Sequence, residues 1–156
     1  MLIGLIKYKL AKRKVIKNME VYIDVENIYL TNIFNHYIDY FEYIKDSVMK
    51  RYELMDSYGK EEYFIDDCKW YISELNKAKR EIEDVFKKER FNVRLIKIMN
   101  KKGYFTEYIK YQAENIIDIF YKAKEKYETC YQTFSPELLV KEYKIKQKLE
   151  KLQGDF

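Results

Sequence analysis

The chain has 156 residues, a length that fits one domain able to bury a core without disulfides or a structural metal. Hydrophobic residues make up 47% of it and aromatic residues 17%, which argues against a disordered chain, and 4 Gly and 1 Pro leave little material for turn-rich β-folds. The net charge of +4 hides an uneven distribution, because basic and acidic residues concentrate in different segments.

The first segment, residues 1–18, contains six basic residues and no acidic one, and it shows no clean apolar face at a helical or a strand period. We expect a basic N-terminal arm or a short helix, followed by a single helical-bundle domain over residues 19–156. Residues 19–25 alternate apolar and polar side chains as a half-buried strand does, but Val21 and Val25 also share a helix face. A helix is the better prediction, since one strand alone has no partner for its backbone.

Three breaks divide the rest of the chain. Gly59 lies in a turn, and Gly103 follows two lysines, as a C-terminal helix cap does. Ser135 before Pro136 is typical of a helix N-terminus. Short connections at these breaks favour antiparallel packing of helices that follow one another in the sequence.

Between the breaks, apolar residues recur at alternating steps of four and three, which is the seam of helices that pack along their length. Strands would need a period of two. The sequence therefore predicts an all-α fold, an elongated antiparallel bundle of three to four long coiled-coil-like helices plus the short basic N-terminal segment. The predicted seams are Leu30, Phe34, Tyr37, Phe41, Ile44, Val48, Arg51 and Met55; Phe64, Cys68, Tyr71, Leu75, Ala78, Ile82 and Val85; and Ile109, Ala113, Ile116, Phe120, Ala123, Tyr127, Cys130 and Phe134.

Both cysteines, Cys68 and Cys130, lie on predicted seams, so we expect two buried thiols rather than a disulfide framework. No apolar run approaches the roughly 18 residues that a membrane span needs. The N-terminal order of apolar residues before basic ones is the reverse of a secretory signal. These features predict a cytoplasmic protein without a membrane partner. Heptad seams close within one chain or continue between two, so a monomer and a homodimer both fit.

Residues suited to catalysis are sparse. His36 is the single histidine, which rules out a two-histidine metal site, and four scattered glycines form no phosphate-binding loop. Four acidic residues between 61 and 67 begin the second long helix, where the helix dipole already favours them. We therefore predict no catalytic residue, no cofactor, no metal site and a protein that is not an enzyme.

Basic residues between 87 and 101 recur at steps of three and four, so they share one helix face and extend about 21 Å along it. Glu89 alone interrupts them. The pattern fits a solvated helix face, but also a surface that meets a phosphate backbone or an acidic protein. The predicted binding residues are Lys87, Arg90, Arg94, Lys97 and Lys101, called the basic row below, with Lys88 and Lys102 beside them and Lys12, Arg13 and Lys14 from the N-terminal segment.

Residues 22–29, with the sequence Tyr-Ile-Asp-Val-Glu-Asn-Ile-Tyr, resemble the first strand and turn of NYN-type nucleases, PIN-related enzymes whose opening strand ends in Asp-x-x-Asn. The resemblance implies a metal-dependent ribonuclease in which Asp24 is a metal-binding catalytic carboxylate and Asn27 helps to order the site. The rest of the chain departs from that family, because it lacks the alternating strands and helices that a parallel sheet requires.

The leading hypothesis is a non-enzymatic helical binding protein from a phage or mobile element that inhibits a host protein or ribonucleoprotein, as anti-CRISPR proteins do. The phage origin is an association with small helical accessory factors and has no physical basis in the sequence. A nucleic-acid-binding regulator that uses the basic row is the first alternative, although the junctions join helices too long for a helix-turn-helix. The NYN-like ribonuclease is the second alternative.

Overall fold

The computed structural model describes residues 2–154, and every regular element in this part of the chain is helical, so the all-α prediction is confirmed. None of these described helices offers the length of apolar sequence that crossing a lipid bilayer requires. The described α-helices are α1 (Leu2–Tyr52), α2 (Glu61–Asp67), α3 (Lys69–Lys101), α4 (Glu107–Lys126) and α5 (Pro136–Gly154). A 3-10 turn at Met55–Tyr58 precedes α2, and a π-helical turn at Tyr127–Tyr131 continues α4.

The helix ends follow the caps that the sequence indicated. Gly103 terminates α3 with a φ of 74°. Its N–H donates to the carbonyl of Asn100 at 3.0 Å, and the next N–H donates to the carbonyl of Met99 at 3.3 Å, the paired pattern of a Schellman cap. Ser135 caps α5, because its hydroxyl accepts a hydrogen bond from the N–H of Leu138 at 3.1 Å.

The described chain has five α-helices where three to four were predicted, because a break at Cys68 divides one predicted helix into α2 and α3. The backbone at Cys68 has a φ of −90° and a ψ of 1°, outside the usual helical range. Its N–H still donates to the carbonyl of Phe64 at 3.0 Å, and its carbonyl accepts from Ile72 at 2.9 Å. The break therefore changes the backbone angles without ending the run of hydrogen bonds.

Contacts group the helices into two compact units. Unit 1 comprises the chain up to His36 together with Asp84–Glu125, and so contains the first part of α1, the end of α3 and most of α4. Each of these helices contributes one phenylalanine to a cluster. The Phe34 ring stacks on Phe86 with centroids 5.5 Å apart, and Phe120 meets the two rings edge-on at 6.0 and 5.7 Å. Such pairs stabilise a core by about 0.5–1.5 kcal/mol beyond the area they bury.

Unit 2 comprises Tyr37–Glu83 together with the chain from Lys126 onward. Phe41 of α1 lies in its core, with the ring stacked on Tyr131 at 4.7 Å and tilted against Tyr127 at 6.1 Å. In the same unit, α2 packs against the 3-10 turn and against α5. The π-helical turn therefore supplies two of the aromatic rings that fill unit 2.

The residues of the predicted seams are buried or half-buried with one exception. Cys68 is buried but Cys130 is exposed, so the prediction of two buried thiols is wrong for Cys130. The π-helical turn is the physical reason, because it takes more residues per turn than an α-helix. The seam consequently passes from Tyr127 to Tyr131, which is 1% exposed, and Cys130 faces solvent.

Residues 2–18 are the first turns of α1 rather than a separate helix, since no proline separates them from the residues that follow. Met1 of that predicted segment lies outside the described residues. Residues 19–25 continue the same helix, which confirms the helical prediction there and removes the opening strand that the nuclease resemblance implies. The prediction of one domain over residues 19–156 stays a prediction.

Tyrosine hydroxyls connect neighbouring helices at the edges of the core of unit 2. A buried tyrosine ring needs a partner for its hydroxyl, and a carboxylate is a strong acceptor. Burial, followed by the hydrogen bond to a glutamate, raises the pKa of Tyr40 to about 12. The donor and acceptor pairs are Tyr37–Glu81 at 3.0 Å, Tyr40–Glu74 at 2.6 Å, Tyr127–Glu83 and Tyr131–Glu42.

Replacing Tyr131 with Phe keeps the buried ring and removes the hydroxyl that donates to Glu42. We expect the free energy of unfolding to fall by about 1 kcal/mol, since Glu42 loses one donor but keeps the Lys126 ammonium at 3.5 Å. Urea unfolding followed by circular dichroism measures the change. Tyr111→Phe is the matched control, because that side chain is 75% exposed and its loss should be within about 0.5 kcal/mol. Equal losses in the two variants would contradict a role for the buried bond.

Candidate binding surface

The two units differ in the sign of their charge. Unit 1 contains 16 basic and 9 acidic residues, a net charge of +7. Unit 2 contains 14 basic and 17 acidic residues, a net charge of −3. An anionic partner is therefore attracted to unit 1, and the attraction acts over several ångströms before contact.

The basic row lies on an exposed side of α3 within unit 1. All five of its members are exposed, and so are Lys88 and Lys102. Within residues 2–154, no carboxylate oxygen lies within 4.0 Å of the side-chain nitrogens of these seven cations. Their charge is consequently available to a partner, apart from screening by salt.

Two lysines of the predicted surface rest on tyrosine rings. The Lys97 Nζ lies 5.1 Å from the ring centroid of Tyr121 on α4. The Lys12 Nζ of α1 lies 4.7 Å from the ring centroid of Tyr104, which comes directly after Gly103. A cation–π contact restrains an ammonium group without neutralising it. Lys12 is thereby held beside the C-terminal end of α3, where the basic row ends.

The other predicted N-terminal cations, Arg13 and Lys14, are also exposed. Successive residues of a helix are rotated by about 100° from each other, so these two side chains do not share the face of Lys12. The structure therefore unites the basic row with Lys12, Lys88 and Lys102, and it leaves Arg13 and Lys14 on other faces of α1.

Glu89 does not interrupt the basic row, because its side chain turns inward. It is 5% exposed, and Tyr22 donates a hydrogen bond to its Oε2 at 3.3 Å. The Asn92 Nδ2 in turn donates to the Tyr22 hydroxyl at 3.1 Å. The Glu26 carboxyl lies beside that of Glu89, and among the described residues its buried Oε1 has no hydrogen-bond partner. Glu89 is thus withdrawn from the surface of unit 1, and Glu26 is half-buried beside it.

Sequence reasoning placed Glu89 among the exposed cations and missed this cluster. The available signal is the position of Glu89 three residues after Phe86 and four before Val93, both of which are buried. The seam of α3 shifts by one residue at this point, since Val85 is half-buried and Phe86 takes its place in the core. The expected period also reaches Glu89, which lies four residues after Val85, so the seam itself contained the signal.

The residues that the nuclease resemblance singles out link α1 to α4. The Gln112 Nε2 donates to the Asp24 Oδ1 at 2.9 Å, and the Asn115 Nδ2 donates to the Asn27 Oδ1 at 2.7 Å. In the part of the chain that the structure describes, no group of three or more His, Cys, Asp or Glu side chains is arranged to hold a metal ion. Hydrogen bonding between helices accounts for both polar residues.

The main polar features of unit 1 are its exposed cations and the acidic pair of Glu26 and Glu89. Comparison with known proteins finds no matching family model, no matching curated protein and no matching solved structure. Chemistry and geometry of the chain itself therefore carry the functional argument.

The Glu26 and Glu89 pair makes the stability of unit 1 depend on pH. Burial, then the hydrogen bond to Glu89 and its charge, raise the pKa of Glu26 from 4.5 to about 7. A raised acid pKa means that folding disfavours the charged form, so this destabilisation is absent below about pH 4.5 and complete above about pH 7. Glu26→Gln removes the titration, and we expect the variant to gain stability relative to the parent protein as the pH rises through this range.

Urea unfolding at about pH 5 and pH 8 measures that difference. The control is Glu114→Gln, which removes one exposed carboxyl of α4 in the same unit. A difference between Glu26→Gln and the parent protein that is the same at both pH values would contradict the buried acidic pair.

Proposed function

We propose that this protein is a non-enzymatic binding protein that docks on an anionic surface of a protein or ribonucleoprotein. The contact surface is the basic face of unit 1, which we define as the basic row with Lys12, Lys88 and Lys102. The observation that supports it most is the exposure of the seven α3 cations in a unit of net charge +7, with no carboxylate oxygen of residues 2–154 within 4.0 Å of their side-chain nitrogens.

Repulsion within the basic face gives the proposal its physical basis. Surfaces that serve solubility alone usually mix charges of both signs. Residues 90–106 contain no Asp or Glu, so the cations from Arg94 to Lys102 have no acidic residue within four positions in sequence. Docking against an anionic surface relieves that repulsion, and charge complementarity also accelerates the encounter.

We infer that such a protein acts by covering a surface of its target. A protein that covers an anionic surface prevents the target from using that surface for its own ligands, and it needs no reactive group to do so. Inhibition of a host protein or ribonucleoprotein follows from binding alone. This mode of action agrees with the absence of catalytic motifs in the sequence.

The even spacing of the basic row favours a second candidate, which is direct binding of nucleic acid. Cations at every helical turn over about 21 Å are able to follow a phosphate backbone. Each phosphate contact releases a counterion, so the logarithm of the binding constant falls with the logarithm of salt concentration by about 0.9 per contact on duplex DNA. A protein partner that makes fewer ionic contacts gives a shallower dependence.

Charge reversal of Arg90, Arg94 and Lys97 to Glu tests the proposed surface. We expect the triple variant to elute from a heparin column at clearly lower salt concentration than the parent protein, because the centre of the basic face becomes acidic. Labelled duplex DNA and RNA, titrated by fluorescence anisotropy at several salt concentrations, separate the two candidates. A steep salt dependence that the triple variant loses would favour the nucleic-acid candidate.

The matched control reverses three exposed lysines of α5 in unit 2, Lys144, Lys146 and Lys148. Both triple variants have the same net charge of −2 in place of +4, so total charge cannot distinguish them. We expect the control to elute close to the parent protein. Equal decreases in elution salt for the two variants would show that the basic face of unit 1 has no special role.

A further inference from the structure

A second apolar face runs along α3 on the side opposite its core. Phe91, Leu95 and Ile98 follow one another at steps of four and three, so they share one helix face, which we call the apolar ridge. Phe91 is 72% exposed, Ile98 is 47% exposed and Leu95 is half-buried. The core side of the same turns is formed by Val93 and Ile96, which are fully buried. This part of α3 thus has two apolar faces, and the described chain covers only one of them.

Cations lie along one side of the apolar ridge and at both of its ends. Lys87, Arg94 and Lys101 border one side, each within one helical turn of a ridge residue. Lys88 lies three residues before the first ridge residue and Lys102 four residues after the last, so they continue the line of the ridge at its two ends. All five are exposed. The ridge is therefore an apolar strip with cations along one side and at both ends, and we call these five cations its border.

An apolar centre within a charged rim is the usual composition of a protein interface. Large side chains near the centre become fully desolvated on binding and contribute most of the affinity, while charged residues at the rim orient the partner. Phe91 has the size and exposure of such an anchor. The border determines the charge of the partner surface, because five cations are complemented only by acidic residues.

The charge of the border also distinguishes the alternative occupants. A second copy of the same face would place two sets of cations against each other, and like charges oppose that symmetric pairing. Nucleic acid would pair its phosphates with the cations and would at most stack an unpaired base on Phe91, which leaves the aliphatic Leu95 and Ile98 without an apolar partner. An acidic protein segment with apolar side chains satisfies the centre and the border together.

We propose that the apolar ridge with its cationic border is a docking site for an acidic amphipathic helix of a partner protein. The inference rests on the proposed function and specifies the chemistry of the partner. Its apolar residues, spaced by three and four, pack between Phe91, Leu95 and Ile98 as ridges pack into grooves. Its Asp and Glu residues, on the flanks, face the cations of the border.

Two synthetic peptides of about 18 residues serve as probes. One carries Leu at steps of three and four and Glu at most other positions, and the other has the same composition scrambled so that no apolar face forms. We expect the parent protein to bind the amphipathic peptide at least about tenfold more tightly than the scrambled one, measured by fluorescence anisotropy. Equal affinity for the two peptides overturns the proposal, since charge alone would then explain binding.

The double variant Phe91→Ser with Ile98→Ser removes the ridge and leaves every charge in place. We expect it to bind the amphipathic peptide about tenfold more weakly or worse, with unchanged elution from heparin. The control is Val25→Ser with Ile28→Ser, which removes two side chains of α1 that are 64% and 65% exposed. Circular dichroism and thermal unfolding verify that both variants fold, as expected for exposed positions.

Unchanged peptide affinity in the ridge variant overturns the inference, and so does an equal loss in the control. Loss of RNA binding or of binding to phosphatidylserine vesicles in the ridge variant, without peptide binding by the parent protein, also overturns it and assigns the ridge to that ligand. The proposed function fails separately. If charge reversal leaves heparin elution unchanged, the proposed binding role of the basic face is wrong. If charge reversal lowers the elution salt but the ridge variant keeps its peptide affinity, only the docking site is rejected.

Discussion

A tyrosine hydroxyl that donates to a carboxylate on the neighbouring helix is the interaction that recurs between helices in both units. A tyrosine ring fills space between helices, but its hydroxyl needs an acceptor there. In unit 2 four glutamates accept such bonds, and in unit 1 Glu89 accepts one from Tyr22. Glu42 also has the Lys126 ammonium as a partner, so a tyrosine donor does not exclude an ion pair. The tyrosines that fill the space between helices thus also satisfy carboxylates on neighbouring helices.

Unit 1 also contains an acidic pair, the buried Glu89 and the half-buried Glu26. Glu26 and Glu89 stand close together in a poorly solvated place, which the raised pKa of Glu26 reflects. Such an arrangement costs stability when both groups are charged. The inward direction of the Glu89 side chain leaves the exposed side of α3 to the basic row. The charge of a buried group is screened less than that of an exposed one, so Glu89 still counts in the net charge of +7 for unit 1.

The sequence predicts correctly those features that depend on residues close to each other along the chain. The seams and the caps at Gly103 and Ser135 depend on residues within a few positions of each other, and the structure has them as expected. Cys130 was misplaced because a π-helical turn changes the period, and no residue type marks such a turn. Glu89 was misplaced because a charged residue on a seam looks like a surface residue, and its hydrogen-bond donor, Tyr22, comes from a distant part of the chain. The candidate binding surface could be predicted only in part for a similar reason. Its cations are visible in the sequence, whereas the exposure of Phe91 depends on how distant parts of the chain pack.

Cations and apolar side chains on one helix face contribute to binding at different stages. Charge attraction acts across a Debye length of about 8 Å in physiological salt, so the basic row affects how often a partner arrives and in which orientation. Apolar contacts act only once water has left the interface, so the ridge affects how long the partner stays. A helix with the cations alone would bind any polyanion, and one with the ridge alone would aggregate. In the proposed docking, the cations beside Phe91, Leu95 and Ile98 attract anionic surfaces broadly, and the ridge retains those that also bring an apolar stripe.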